Sequence, residues 1–103
     1  MGYNYYGKLC VQSNDSVVYS PWLIALSNIE QIRGSNYHTV LLSDEKAYAC
    51  GENIQSSFGG LDHTRYFTPV QISSNDQIVL EVAATDDGTY LLTTEALLSA
   101  GFD

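Results

Sequence analysis

His38-Thr39-Val40-Leu41-Leu42-Ser43 is answered fifty residues downstream by Gly88-Thr89-Tyr90-Leu91-Leu92-Thr93, and the match runs on without a gap to Cys50-Gly51 and Ala100-Gly101. Outward from this pair the correspondence continues. Gly2-Tyr3-Asn4 returns as Gly51-Glu52-Asn53 and starts again at Gly101-Phe102-Asp103. Ser20-Pro21 returns as Thr68-Pro69, with Ile24 and Ile72 each three residues past the proline. The 103 residues therefore divide into two copies of one pattern, about 1–51 and 52–103. Self-similarity at this period marks solenoids, propellers and arrays, in which one repeat is a supersecondary unit that cannot bury its core alone.

Within each copy the grammar is that of strands. Residues 29–32 read as a short strand segment with apolar Ile29 and Ile32 at its ends, 34–37 are a polar turn, 38–43 are β-rich, 44–46 turn again, and 47–50 run into Gly51. The second copy reads 78–84, a turn at 85–88 with an Asp-Gly dipeptide, 89–93, a turn at 94–95, and 96–100 closed by Gly101. Short strands joined by turns of two to four residues are hairpins in series, a β-meander. Polar inserts at about 10–20 and 56–68 read as loops, and the proline after each fixes φ and opens an extended segment. No window carries the three-and-four spacing of an amphipathic helix.

Composition narrows the class further. At 45% hydrophobic and 16% charged, the chain is globular, and no apolar run approaches membrane-spanning length. The first residues hold no basic region or long apolar stretch, so no signal peptide is visible. The net charge of −8 is uneven: residues 1–51 carry −1 and residues 52–103 carry −7, with no lysine or arginine after Arg65. Phosphate contacts need clustered lysine and arginine, so direct nucleic-acid binding is excluded as a leading reading and a basic protein partner is favoured. Cys10 and Cys50 fall at different points of the repeat and are expected to be reduced small hydrophobes, which fits an intracellular setting, cytoplasmic or nuclear.

The order of these motifs resembles the repeat of the regulator of chromosome condensation family, over essentially the whole chain. Gly2, Asn4, Gly7 and Leu9 match the opening of that repeat, as do Gly51, Asn53 and Gly59 in the second copy, where Phe58 stands for leucine and Ser56 replaces the middle glycine. Residues 34–39 resemble its glycine-x-x-histidine-serine/threonine motif, with three residues and not two between Gly34 and His38; in the second copy alanine replaces the glycine at 84 and glycine replaces the histidine at 88. Cys50 and Ala100 stand where the family often has tryptophan. The resemblance implies an all-β fold of propeller blades, about two per chain, with repeats circularly offset from the blades. It also implies association into a closed propeller, with identical chains or with another propeller-forming chain. Gly2, Gly7, Gly34, Gly51 and Gly101 are expected to allow left-handed turns or close strand approach, and Asn4 and Asn53 to bond local backbone.

For function, the resemblance implies that His38, Asp86 and Asp87 lie on the face that meets a small GTPase in the family's guanine-nucleotide exchange factors. The competing reading has His38 holding its turn near the axis. Aromatic and cationic residues cluster in the loops: Tyr5 and Tyr6 in the first, His63, Arg65 and Tyr66 in the second, with Trp22 just after Pro21. Tyrosine, tryptophan and arginine are the residues of interface hot spots. Catalysis has no motif: there is no nucleophile elbow or phosphate-binding loop, and His38, His63, Cys10 and Cys50 lack zinc-ligand spacing, so neither cofactor nor metal is expected. The reading is a non-enzymatic scaffold module binding a protein through blade-connecting loops. The alternative is a fragment of an exchange factor for a small GTPase or of a ubiquitin-ligase subunit.

Overall fold

The computed structural model describes residues 2–3, 8–11, 17–19, 21, 23–24, 26–53 and 65–101. Among them the ordered elements are strands: β1 (Gly2–Tyr3), β2 (Val17–Val18), β3 (Ile29–Gly34), β4 (His38–Ser43), β5 (Lys46–Glu52), β6 (Arg65–Gln71), β7 (Val79–Ala84), β8 (Gly88–Thr93) and β9 (Leu97–Gly101). They form three antiparallel sheets: β1-β2, β3-β4-β5-β6 and β7-β8-β9.

The fifty-residue repeat is reproduced in the pairing itself. Ile32 faces Leu41 and Gly34 faces Thr39 in the larger sheet, while Val82 faces Leu91 and Ala84 faces Thr89 in the smaller. A bulge falls at the same place in both, between Ile29 and Gln31 and between Val79 and Glu81. The extra residue there, Glu30 or Leu80, lets the strand bend and twist as a pleated pair alone does not.

The core lies between the two larger sheets. Val40, Leu42, Ala47 and Ala49 from one face of the β4-β5 pair meet Val79, Val82 and Leu91 from the other sheet. Leu41 points the opposite way, as alternation along a strand requires, and packs with Cys10 and Cys50 beneath Ile24, Leu26 and Tyr48. This is why β4 is buried along both faces and reads as a continuous apolar run. The linker between the sheets is pinned by Lys46, whose Nζ donates to the carbonyls of Asn75 at 2.7 Å and Gln77 at 2.5 Å.

Three sequence expectations are corrected. First, Cys10 and Cys50 are joined as a disulfide, with Cα atoms 5.3 Å apart, inside the range a bridge spans. Residues 8–10 run against the β4-β5 face, where Thr39 Oγ1 donates to the Lys8 carbonyl at 2.7 Å, and this brings the turn holding Cys10 over Cys50. The compartment argument that relied on reduced thiols falls with it. Second, Arg65 and Tyr66 lie on a strand and not in a loop: β6 starts four residues before Pro69. Proline is tolerated because β6 is the outer strand and its register with β5 shifts between Ala49 and Gly51, so Pro69 falls in the gap. Third, Gly34 is neither left-handed nor crowded; a Cβ there would meet nothing within 4 Å.

Gly51 and Gly101 do meet the expectation, for one shared reason. Their φ angles are +108° and +133°, and each faces the first residue of the neighbouring strand, His38 or Gly88. At Gly51 a Cβ would lie 2.5 Å from the Tyr37 carbonyl oxygen and 2.7 Å from His38 Cα. At Gly101 it would run into the Asp87 carbonyl oxygen and lie 2.7 Å from Gly88 Cα. Among the described residues no helix is long and apolar enough to cross a membrane.

Candidate functional site

The turns that open β4 and β8 lie at one end of the sheets, and the register places Gly51, Arg65, Tyr66 and Gly101 at that same end. Each turn is closed locally in the same way. Ser35 N–H donates to the His38 carbonyl and Thr85 N–H to the Gly88 carbonyl, both at 2.9 Å. The hydroxyl of the same residue accepts the amide across the turn, His38 N–H to Ser35 Oγ at 3.2 Å and Gly88 N–H to Thr85 Oγ1 at 3.1 Å. Serine and threonine favour this position because the side chain replaces a backbone acceptor.

The two turns are then latched to each other across the sheet boundary. Asp86 accepts from Asn36 twice, from the backbone N–H at 2.9 Å and from Nδ2 at 3.0 Å. Beneath this latch His38 is wholly buried, and hydrogen bonds join its Nδ1 to Ser35 Oγ and its Nε2 to Thr89 Oγ1, each at 2.9 Å. Val82 N–H donates to Gln31 Oε1 at 3.1 Å farther along the seam. Asn36 with Asp86, His38 with Thr89 and Gln31 with Val82 are separated by fifty or fifty-one residues, one repeat period. Stacking by rotation brings each position beside its own successor, so these bonds follow from the repeat.

Of the residues singled out by sequence, His38, Asp86, Asp87, Arg65 and Tyr66 are brought to this end, and Tyr5, Tyr6, Trp22 and His63 lie outside the described residues, as do Asn4 and Gly7. Asp86, Asp87 and Arg65 are exposed, Tyr66 is half-buried against the core, and His38 presents no atom to solvent. His38 thus holds the seam, and the surface above it is made by Asn36, Tyr37, Asp86 and Asp87. Ser35, Asn36 and Thr89 were not found by motif reading. The signal was present, since pairing each residue with its copy one period on nominates Asn36 with Asp86. Among the described residues no three His, Cys, Asp or Glu side chains converge to hold a metal ion.

Burial holds the His38 imidazole below its ordinary value of 6.5, opposed by the nearby Asp86 carboxylate and by the backbone at Gly88. A histidine whose pKa is depressed on folding stabilises the fold fully above the unfolded value, and the stability is lost as pH falls below it, because the unfolded chain then binds more protons. The melting temperature is expected to decline as pH is lowered from 7.5 toward 5. His38→Gln should lower the melting temperature at pH 7.5 and flatten this decline. Asp86→Asn should steepen it by removing the charge that favours the imidazolium. Parallel melts of the three proteins over that range check both signs.

Two solved structures share this fold. Human WBSCR16 superposes with a TM-score of 0.79 at 21% identity, and Prp20p from Saccharomyces cerevisiae, which binds Gsp1p and histones, with 0.77 at 20%. Each match covers 98% of this chain and 28% of the other, so the chain spans little more than a quarter of their length. No family model matches the sequence, and neither does any curated protein. The fold is all-β, made of regulator-of-chromosome-condensation-like propeller blades, one of four strands and one of three in the described residues.

Proposed function

We propose that the chain is a non-enzymatic, protein-binding module of a propeller scaffold, and that its partner is a basic protein met at the turn end of the blades. The observation that carries this reading is the exposed acidic edge formed by Asp86 and Asp87 above a buried, fully bonded histidine. The latch spends Asn36 on Asp86 and leaves the negative charge in place, which attracts a cationic partner over distances set by ionic strength. The second half's charge of −7 reinforces the field. The structural likeness to Prp20p, which binds histones, supports a basic partner of this kind and an intracellular setting.

The test is a titration of immobilised chain with a purified core-histone dimer at several salt concentrations. Binding should weaken as salt rises, and Asp87→Arg should weaken it about three- to tenfold at low salt, the range for an exposed interfacial charge. Equal binding by wild type and Asp87→Arg would remove this edge from the interface.

A second reading follows from the placement of Asp86 and Asp87 on the end where the family resemblance puts the GTPase-facing surface. There the chain is a piece of a guanine-nucleotide exchange factor. Its test is nucleotide release from a small GTPase with and without the chain; no acceleration at saturating chain sinks it.

A further inference from the structure

The first blade carries a covalent clip that its hairpin does not need. Cys50 faces Thr39 across the β4-β5 pair, and Cys10 reaches it from the first loop. One period on, Ala100 stands in the place of Cys50 and faces Thr89, and β8 and β9 pair in the same register with no cysteine there. What the bridge adds to the first blade is therefore the position of residues 8–11. Their backbone is bent where the bridge attaches: Cys10 has φ +65°, a left-handed conformation that a residue with a Cβ rarely adopts. In the intracellular setting proposed above, a disulfide is as a rule transient and serves catalysis or redox sensing.

What the clip positions is a charge. Thr39 Oγ1 donates to the Lys8 carbonyl at 2.7 Å, which sets residue 8 against the start of β4. From there Lys8 Nζ donates to the Asn36 carbonyl at 3.4 Å. Asn36 is the residue whose N–H and Nδ2 hold Asp86. A single residue thus stands between the ammonium group and the acidic edge, with Lys8 on its carbonyl side and Asp86 on its amide side. Exposed charges gathered on one small turn act on each other unless salt screens them, so Lys8 offsets part of the field that Asp86 and Asp87 present.

We infer that the Cys10–Cys50 disulfide is a redox gate on the acidic edge: closed, it holds Lys8 beside the Asn36–Asp86 latch and damps the attraction for a basic partner; opened, it frees Lys8 and strengthens that attraction. The gate rests on the basic-partner reading above. The opening step is thiol–disulfide exchange with a dithiol. One thiolate of the dithiol attacks Cys10 Sγ, the S–S bond breaks, and Cys50 leaves as a thiolate and takes up a proton. The second thiol then attacks the mixed disulfide and expels the Cys10 thiolate, which is protonated in turn. The dithiol departs as its own disulfide, having given up two electrons and two protons. Both sulfurs belong to buried residues, so the attack waits on the turn at 8–11 lifting, and the left-handed backbone at Cys10 relaxes as it does.

Three samples test it: the oxidised chain, the chain reduced with dithiothreitol and kept reduced, and the oxidised Lys8→Gln variant. Each is checked for its strand signal by circular dichroism and titrated with the core-histone dimer at low salt. The reduced chain is expected to bind about two- to fivefold tighter than the oxidised one, the range for a single exposed charge pair. Lys8→Gln should bind like the reduced chain while its bridge is intact, and reduction should add nothing to it. The difference should close as salt rises. Equal binding by the two wild-type forms, or a redox effect that persists in Lys8→Gln, overturns the gate and leaves the acidic edge standing. A reduced chain that loses its strand signal also overturns it, since the bridge is then a staple. Acetylation of Lys8 by acetic anhydride reads the clip with no partner present and should be faster after reduction; an unchanged rate overturns the gate. Faster acetylation with no histone binding in either form overturns the proposed function, and the gate with it.

Discussion

Gly51→Ala is expected to destabilise the chain by about 2–5 kcal/mol, combining backbone strain at a positive φ with overpacking against rigid neighbours. The new methyl would sit 2.5 Å from the Tyr37 carbonyl oxygen and 2.7 Å from His38 Cα, both backbone atoms that cannot swing aside. Any relief pushes β4 away from β5 where His38 begins β4, and so pulls the ring from Thr89 and opens the seam between the blades. For a domain of this size a loss of 1 kcal/mol lowers the melting temperature by about 4–8 °C, so the effect is large. Gly34→Ala is the control. Its φ is ordinary and its surroundings are open, so removing a glycine from the unfolded ensemble should leave stability unchanged or raise it by about 0.4–1 kcal/mol. Thermal melts of the two variants in one buffer decide the matter; a similar loss for both would show that close approach at Gly51 is not what the glycine serves.

Removing the Cys10–Cys50 bridge is expected to cost about 2–4 kcal/mol, the typical value for a native disulfide closing a loop of this order. The two cysteines are 40 residues apart in sequence and tie the first loop to the end of β5. Without the bridge the loop keeps the Thr39–Lys8 hydrogen bond and the apolar contacts around Leu41, which are local and weaker. The Cys10→Ser/Cys50→Ala double variant, and wild type with reductant, should both melt lower than oxidised wild type by comparable amounts. Thiol titration of the denatured, unreduced protein should find no free thiol. Two free thiols with an unchanged melt on adding reductant would return the pair to the role of buried hydrophobes. Disulfides persist in oxidising compartments and are rare in the cytosol, so the same titration on protein trapped at lysis also tests the intracellular setting.

The order and spacing of the strands were legible in the sequence because hairpins in series are encoded locally. The run from His38 to Ser43 became β4 with the same bounds, while β8 and β5 each begin one residue earlier than read, at Gly88 and Lys46, because those residues, read as the last of their turns, already pair across the hairpin; the two residues left in the first turn, Asp44 and Glu45, take positive φ, +48° and +64°. The strand β6 was less legible. A proline inside a strand argues against the strand unless the pair is known to be an outer one with a register shift, and that is knowledge of the sheet. The disulfide was hidden for a similar reason. Cys10 and Cys50 occupy unlike positions of the repeat, so the symmetry that orders everything else gives no hint that one loop folds back over β5.

The candidate site divides along the same line. That His38, Asp86 and Asp87 belong to equivalent turns is a property of the fifty-residue period and needs no coordinates. Which of them meets a partner is decided by burial, because the neighbouring blade closes over the imidazole and leaves the carboxylates outside. The sequence by itself determined the repeat, its strands and the acidic second half, since periodicity and charge are additive along the chain. Only the tertiary structure decided that Asn36 grips Asp86, that His38 is a seam and not a surface, and that Cys10 closes on Cys50. Those outcomes depend on which repeat stands next to which, and adjacency in space is set by packing.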